Sequence, residues 1–272
     1  MAEPKAPERS EMPFLDHLEE LRMRLIWSLA ALVVGCAAGF ILVNRFDVIG
    51  FLKQPIDPLL PHGQKLLFTS PIEPFMITLK LAFVTGLLIA SPVVLWHLWA
   101  FLRPALYTKE RRVILPVALC GLLLFTGGVA AAFYLVVPLA LKVLFGFQSQ
   151  SLEPFITADA YFGFTTTVLV SFGAVFELPL VLLVLVYLRV ISSAFLRRHR
   201  RLAIVINAVL SAILTPGDLV IMTVAVMLPV QLLYELSIVL AMILEKRRAR
   251  AEAAEAAEAA AAEGGVPAPG RA

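Results

Sequence analysis

Residues 161–188 carry one charged side chain, Glu177, in a run of 28 and read YFGFTTTVLVSFGAVFELPLVLLVLVYL. A helix of roughly 20 apolar residues crosses the ~30 Å hydrocarbon core of a bilayer. Backbone polar groups find no water in that core, so a helix that satisfies them internally is the structure expected of such a run. The segment is therefore predicted to be a transmembrane helix.

The composition of the whole chain indicates a membrane protein with several such helices. Of its 272 residues, 60% are hydrophobic and 16% are charged, whereas soluble domains carry about 25% charged residues. Three further runs, at residues 25–43, 75–102 and 113–137, are long enough to span. The first follows a polar segment and is not closed by a small-x-small cleavage site, so we interpret it as a retained anchor. The predicted fold class is an all-α polytopic membrane protein.

Two more apolar runs, at residues 202–214 and 219–244, lie on either side of Thr215-Pro216-Gly217-Asp218. The first would reach only roughly 20 Å as a helix, which is less than the hydrocarbon thickness. It is either a short transmembrane helix in a locally thinned bilayer or one arm of a re-entrant hairpin.

The distribution of Lys and Arg predicts the orientation, because these residues collect in cytoplasmic loops. Of the 23 basic residues, 18 lie in four segments on one predicted side: the N-terminal segment, the loops after the second and fourth spans, and the C-terminal tail. These are Lys5, Arg9, Arg22, Arg24, Arg103, Lys109, Arg111, Arg112, Arg189, Arg197, Arg198, Arg200, Arg201, Lys246, Arg247, Arg248, Arg250 and Arg271. Both termini are therefore expected in the cytoplasm, and six crossings are the number we favour.

The segments outside the spans also have distinct patterns. Residues 44–74 contain five prolines, which exclude a spanning helix, and apolar clusters that predict a cap folded back at the outer interface. Residues 1–24 are predicted to form a cytoplasmic tail and an amphipathic helix lying at the interface, since leucines recur there at helical spacing. Residues 245–272 contain Ala-Glu-Ala-Ala repeats and are predicted to be a solvated, partly helical, low-complexity tail.

The sequence contains no pattern typical of an enzyme. Its four histidines are scattered without ligand-like spacing, so no metal site is predicted. It has no Ser/His/Asp pattern, no paired intramembrane aspartates and no zinc-protease motif. Cys36 and Cys120 lie in apolar runs and are interpreted as packing residues. We expect no cofactor and no nucleic-acid partner.

Glu177 is the most informative residue within the predicted membrane segments. An ionisable group there is energetically expensive and indicates a functional site by default. It requires a water-filled concavity, a polar partner or a bound proton, and Pro179 is predicted to kink the helix beside it. The alternative is a glutamate that only joins neighbouring helices by hydrogen bonds. Glu235, in the last run, is similar but nearer the cytoplasmic end.

Acidic residues on the predicted cytoplasmic side have two interpretations. Glu19 and Glu20 precede the first span and either pair with Arg22–Arg24 on a solvated face or form part of an acidic docking site. Glu110 is the only acid among four basic residues in the loop after the second span, where the usual role would be to neutralise Arg111 or Arg112.

Four motifs follow one another across roughly residues 14–245. They are His17-Leu18-Glu19-Glu20-Leu21-Arg22; Trp99-Ala100-Phe101 with Pro104-Ala105-Leu106-Tyr107 and Glu110-Arg111-Arg112; Ser171-Phe172-Gly173 with Phe176-Glu177-Leu178-Pro179; and Leu214-Thr215-Pro216-Gly217-Asp218. In order and spacing, they resemble the TatC family, the multi-spanning receptor subunit of the twin-arginine protein translocase. Gly217 departs from the family, which usually has a second proline there, and Met222 stands where some relatives carry a polar residue.

The resemblance implies a concave six-helix protein with short fifth and sixth helices in the bacterial inner membrane. It also implies a receptor that binds twin-arginine signal peptides of folded cargo at the cytoplasmic face. The implied partners are TatA- and TatB-type single-span proteins, further copies of the chain and membrane lipids, and the implied energy source is the proton-motive force.

The resemblance also implies roles for particular residues. Glu20 and Glu110 match the carboxylates offered to the signal arginines, an arrangement suited to the bidentate guanidinium fork. The residues expected to shape or hold that patch are Leu21, Arg22, Phe101, Pro104, Arg111 and Arg112. Glu177 matches an intramembrane glutamate that faces the concavity. Pro55, Thr215 and Asp218 match positions on the outer side.

Two other classes of function compete with the receptor. An ion-coupled transporter or channel would use Glu177 as its coupling site, and it predicts internal repeats and helices broken at the bilayer midplane. The sequence shows no repeat between its halves, and we expect no broken helix. An intramembrane enzyme would require a catalytic pair that the sequence lacks.

Overall fold

The computed structural model describes residues 14–60, 65–101, 114–146, 155–214 and 220–264. Their regular structure is helical, apart from one isolated parallel bridge between Leu67 and Thr157. Five helical stretches in these ranges are long and apolar enough to cross a membrane: Leu18–Arg45, Glu73–Ala100, Leu115–Gly146, Ala158–Tyr187 and Val226–Ala254. The prediction of an all-α chain with several membrane helices is confirmed. The sixth crossing and the orientation stay predictions.

The first helix, α1, is continuous from Phe14 to Arg45. The amphipathic helix predicted before the first span is therefore continuous with that span, and its position at the interface stays a prediction. Residues 14–34 contain neither Gly nor Pro, so no residue ends the helix where the polar segment meets the apolar one. Glu20 consequently belongs to the same rigid element as the membrane span.

Helix α1 packs closely against α3, which runs from Glu73 to Phe101. A Cβ atom on Gly86 would lie 2.5 Å from the Cα of Cys36 and 2.6 Å from its nitrogen. Gly35 faces Gly86, and Gly39 faces Ala82 and Gly86, so the two helices run antiparallel. Small residues permit this close approach of two backbones inside a bilayer.

Within the segment predicted as a cap, residues 46–60 and 65–72 contact the beginnings of two membrane helices. They include α2, Val48–Lys53, and a 3-10 turn, Asp57–Leu59. Within this segment, Leu67 pairs with residues at the beginning of α6, Ala158–Phe176, through Leu67 N–Ile156 O at 3.2 Å and Ala158 N–Leu67 O at 2.6 Å. The Tyr161 hydroxyl donates to the Leu52 carbonyl at 2.6 Å.

The third span extends beyond its predicted end at residue 137. It comprises α4, Ile114–Ala131, a π-helical segment, Ala132–Val136, and α5, Val137–Gly146. Pro138 cannot donate to the carbonyl four residues before it and would clash there in an α-helix. A wider π turn directly before the proline accommodates this, and the helix continues.

Helix α6 packs against α4 near its C-terminal end. A Cβ atom on Gly128 would lie 2.7 Å from the Phe172 carbonyl oxygen, and one on Gly173 would lie 2.8 Å from the Phe125 ring. Helix α6 ends at Phe176 and the next helix, α7, begins at Leu178, but Glu177 between them keeps helical backbone angles (φ −73°, ψ −16°). Ala158–Tyr187 therefore forms one helical stretch long enough to span. The predicted kink near Pro179 stays a prediction.

The chain divides into two compact units, Met1–Glu177 and Leu178–Ala272. The second contains α7, Leu178–Tyr187, α8, Ser193–Arg198, α9, Arg200–Leu214, and α10, Val220–Gly264. Helix α9 has 15 residues and is short, as predicted. It packs on α10, where the Asn207 side chain donates to Gln231 Oε1 at 2.8 Å.

Helix α10 has 45 residues, so the prediction of a short sixth helix is wrong. The residues after 244 were expected to be only partly helical, yet the helix continues through them to Gly264. The Ala-Glu-Ala-Ala repeats explain the extension, because Ala and Glu are strong helix formers and no Gly or Pro intervenes.

Candidate functional site

Some of the predicted site residues lie in the described part of the chain and others lie outside it. Glu20, Leu21, Arg22, Pro55 and Glu177 lie in it, whereas only the backbone of Phe101 does. The predictions for Pro104, Glu110, Arg111, Arg112, Thr215 and Asp218 lie outside the described residues.

Glu20 sits near the beginning of α1 and is held by Arg24, one helical turn later. Arg24 Nε donates to Glu20 Oε1 at 2.9 Å, and Arg24 Nη2 contacts the same oxygen. The second oxygen, Oε2, is buried and accepts no hydrogen bond from the described residues. A buried carboxylate oxygen without a donor is costly. The carboxylate is thus positioned by Arg24 while one oxygen keeps the capacity to accept a donor.

Leu21 and Arg22, the neighbours of Glu20, are exposed, as is Glu19. Because α1 is a single helix, these side chains point in different directions from Glu20. Of these four residues, Glu20 is the one whose side chain forms an ion pair within the described part of the chain. This difference makes Glu19 a useful comparison for Glu20.

The register of α1 against α3 places Glu20 near the end of α3. Glu20 lies fifteen residues before Gly35, and Phe101 lies fifteen residues after the Gly86 that Gly35 faces. The same register places Arg24 beside His97, whose ring feels the charge of that arginine. Glu20 therefore lies at the level where α3 ends and residues 102–113 begin.

Two further polar groups at this end of α3 lack partners among the described residues. His97 Nδ1 and Trp99 Nε1 are buried and make no hydrogen bond to them. Trp99 itself is 4% exposed, so its indole N–H is removed from solvent. Buried indole N–H groups usually find an acceptor. The end of the α1–α3 pair that holds Glu20 therefore concentrates polar atoms without partners among the described residues.

Glu177 lies between α6 and α7. It is 8% exposed, and neither carboxylate oxygen has a hydrogen-bond partner among the described residues. Pro179 has no N–H, so the backbone ladder loses a donor beside the glutamate. The carboxyl group is thus buried in hydrocarbon sequence with no described group to stabilise it.

A third carboxylate, Glu73, was missed by the sequence analysis. Its Oε2 accepts from Thr69 N at 2.7 Å, Thr69 Oγ1 at 3.0 Å and Ser70 N at 3.3 Å, and its Oε1 accepts from Asp159 N at 3.0 Å. Ser70-Pro71-Ile72-Glu73 matches the Ser-x-x-Glu capping pattern, which could have revealed the local bonds. Glu73 joins the beginnings of α3 and α6, and all of its hydrogen bonds serve the fold.

Pro55 lies in the turn between α2 and the 3-10 segment and is half-buried next to the fully buried Ile56. This position fits a structural role in the cap.

Among the described residues, no group of three or more His, Cys, Asp or Glu side chains is arranged to hold a metal ion. Cys36 and Cys120 are both free.

Comparison with known proteins gives consistent matches. Residues 16–229 match the family described as Sec-independent protein translocase protein (TatC). The chain is 36% identical over 242 residues to the Sec-independent protein translocase protein TatC of Desulforapulum autotrophicum, covering 89% of this chain and 88% of that one. It is 39% identical over 239 residues to the corresponding Aquifex aeolicus protein, covering 87% and 98%.

The fold also matches solved structures. A crystal structure of the twin-arginine translocase receptor TatC in the detergent DDM superposes with a TM-score of 0.74 at 40% sequence identity. The match covers 83% of this chain and 99% of that chain. A second crystal structure of the same receptor gives the same TM-score at 39% identity.

Proposed function

The chain belongs to the TatC family of Sec-independent protein translocase proteins, and from that premise we propose that it is the signal-peptide receptor of a twin-arginine translocase. It binds the twin-arginine motif of folded cargo at the cytoplasmic face of the bacterial inner membrane. It then assembles with TatA- and TatB-type single-span proteins and with further copies of itself, and export draws on the proton-motive force. Both of its termini lie in the cytoplasm, and α9 is the short fifth of six crossings.

The observation that carries this proposal is the environment of Glu20. Its Oε1 is fixed by Arg24, its Oε2 is buried without a donor from the described residues, and it lies beside the end of α3. A guanidinium group supplies paired donors for a carboxylate, and its planar fork is not reproduced by Lys. Glu20 receives one signal arginine, and Glu110, in the loop that follows α3, receives the other.

The positioning of Glu20 supports selection of arginine over lysine. Arg24 limits the directions from which a second cation can approach the carboxylate, because it occupies Oε1. The remaining oxygen is buried, and an ammonium group offers it no planar pair of donors as a guanidinium group does. Phe101, Pro104, Arg111 and Arg112 shape and hold the loop that carries Glu110.

Export of a twin-arginine reporter tests the receptor proposal. Glu20→Ala and Glu110→Ala should each lower export at least about tenfold, since a lost charge-assisted hydrogen bond is worth roughly 1.5–3 kcal/mol. Glu19→Ala is the matched control and should leave export within about twofold, because Glu19 is exposed one position away. Membrane levels of all variants are compared by immunoblot. Unchanged export in both Glu20→Ala and Glu110→Ala would refute the proposal.

One observation favours a second candidate, an ion-coupled transporter or channel. Glu177 is a buried carboxyl group within a membrane span and has no hydrogen-bond partner among the described residues, and such groups are typical of ion pathways. The transporter predicts flux of a small solute or ion through liposomes containing the purified chain alone. The receptor proposal predicts no such flux above empty liposomes.

A further inference from the structure

A groove of about 690 Å³ lies between the end of α7, α8 and the middle of α10, entirely within Leu178–Ala272. Apolar side chains line much of it: Val186, Val190, Ile191, Phe195 and Leu244. Charged side chains at its edge are Arg189, Glu245, Arg248 and Glu252. The groove therefore combines an apolar wall with a charged rim.

The position of the groove corresponds to a membrane–water boundary. Helix α7 ends its apolar run at Tyr187, and α10 changes from apolar to charged residues at Glu245. Lys246, Arg247 and Arg250 follow on α10 and are exposed. Clusters of basic residues directly after a membrane helix attract anionic lipid headgroups.

Two guanidinium groups at the rim point at the same acceptor. Arg189 Nη2 lies 2.5 Å from Glu252 Oε1, and Arg248 Nε lies 3.5 Å from that same oxygen. Arg248 is held in place, because its Nη1 donates to the Tyr187 carbonyl at 2.9 Å and its Cζ lies 5.7 Å from the Tyr187 ring centroid. The two arginines thus frame one anion position.

The backbone at Arg189 ends helix α7. Its φ angle is 60°, and Val190 N donates to Leu185 O at 2.9 Å while Arg189 N donates to Val186 O at 3.0 Å. These two bonds form a Schellman cap, in which the residue after the helix is left-handed. The cap fixes the backbone that carries the Arg189 side chain at the edge of the groove.

Glu252 is a weak occupant of the anion position. The side chains of Arg189 and Glu252 are 65% and 57% exposed, and ion pairs exposed to this degree contribute little. A phosphate group offers several oxygens to two guanidinium groups at once and forms stronger, bidentate hydrogen bonds. Glu245 does not compete, because its Oε1 accepts from Ser193 N at 2.9 Å and its Oε2 contacts the Ser193 hydroxyl at the beginning of α8.

We propose that this groove binds the headgroup of an anionic phospholipid, with the phosphate between Arg189 and Arg248 and the glyceride against Val190 and Phe195. Glu252 competes with the phosphate for the two arginines. The apolar wall and the boundary position specify a lipid, since a soluble phosphate would gain nothing from them. The site is separate from the proposed signal-peptide site and does not depend on it.

Native mass spectrometry of the detergent-purified full chain tests the proposal, using equal amounts of phosphatidylglycerol and phosphatidylcholine. The wild type should retain phosphatidylglycerol preferentially. Arg189→Gln with Arg248→Gln should lower that retention about tenfold or more, since each basic residue near an anionic headgroup contributes roughly a fivefold factor. Glu252→Gln should raise it, because the competing carboxylate is removed.

Arg247→Gln is the matched control, since it removes the same charge from the same helix outside the groove. It weakens only the general attraction of the exposed basic cluster, so it should lower retention by no more than about fivefold and by less than the double variant does. Circular dichroism checks that each variant keeps its helix content. The proposal is overturned if both lipids are retained equally, if the double variant retains wild-type amounts, or if Glu252→Gln lowers retention. Displacement of the bound lipid by millimolar glycerol 3-phosphate would overturn the lipid as occupant in favour of a soluble phosphate.

Discussion

Glu177 is the residue whose chemistry can be tested most simply. Its carboxyl group is 8% exposed and has no hydrogen-bond partner among the described residues. We expect its role to be a polar contact, which an amide can also make. Export should therefore stay close to wild type in Glu177→Gln and fall about tenfold in Glu177→Ala, as expected for one lost hydrogen bond of roughly 1.5 kcal/mol.

The measurement is export of a twin-arginine reporter, normalised to the amount of each variant in the membrane. Equal and complete loss in both variants would contradict a polar contact and indicate that Glu177 must ionise. Export at the wild-type rate in Glu177→Ala would instead show that the buried carboxyl group has no role.

Individual residues differed in how far the sequence could predict them. Glu177 stood out because it is charged within an apolar run, and Glu20 because of its motif. The Glu20–Arg24 ion pair could be predicted from the sequence, since residues four apart on a helix are neighbours. The hydrogen bond from Asp159 N to Glu73 could not be predicted, because it joins residues 86 positions apart and depends on how α3 and α6 pack.

The packing of α1 on α3 gives a prediction about these two helices. A Cβ atom at position 86 would approach the backbone of Cys36 to 2.5 Å, so Gly86→Ala forces the helices apart. The free energy of unfolding should fall by about 1–3 kcal/mol, the usual cost of overpacking. The measurement is the midpoint of thermal unfolding of the purified protein in detergent.

Gly127→Ala on α4 is the control for this experiment, because a Cβ atom there would meet nothing within 4 Å. It should leave stability unchanged or raise it, since Ala favours helix over Gly by about 1 kcal/mol. If Gly86→Ala unfolded at the same temperature as Gly127→Ala, the close register of α1 and α3 would be wrong, and with it the placement of Glu20 beside the end of α3.

Hydropathy predicted where the long membrane helices lie, but it predicted less well where these helices begin and end. Hydropathy located the four long spans but could not show that α1 continues from Phe14 through the polar segment. Hydropathy also could not show that a π turn precedes Pro138, because a proline within a helical pattern can either end the helix or be accommodated by a local change of the backbone. The length of α10 was underestimated because its polar Ala-Glu repeats were interpreted as a tail although Ala and Glu favour helix.

For the whole chain, the order of four motifs predicted the family, and the comparisons confirm it. The helical class and the presence of several membrane helices also followed from the sequence. Six crossings and cytoplasmic termini stay predictions, because α9 is too short to be identified as a span by its length. The loop predicted to complete the signal-peptide site lies in residues 102–113, outside the described residues.

Photo-crosslinking of a twin-arginine signal peptide to the full chain in membranes is the most direct test of the receptor proposal. Crosslinks should map to α1 around Glu20 and to residues 101–112. They should be lost with a twin-lysine peptide and in Glu20→Gln, and they should persist in Glu19→Gln. Crosslinks that map elsewhere, or that are unaffected both by the lysine peptide and by Glu20→Gln, would contradict a carboxylate site for the signal arginines.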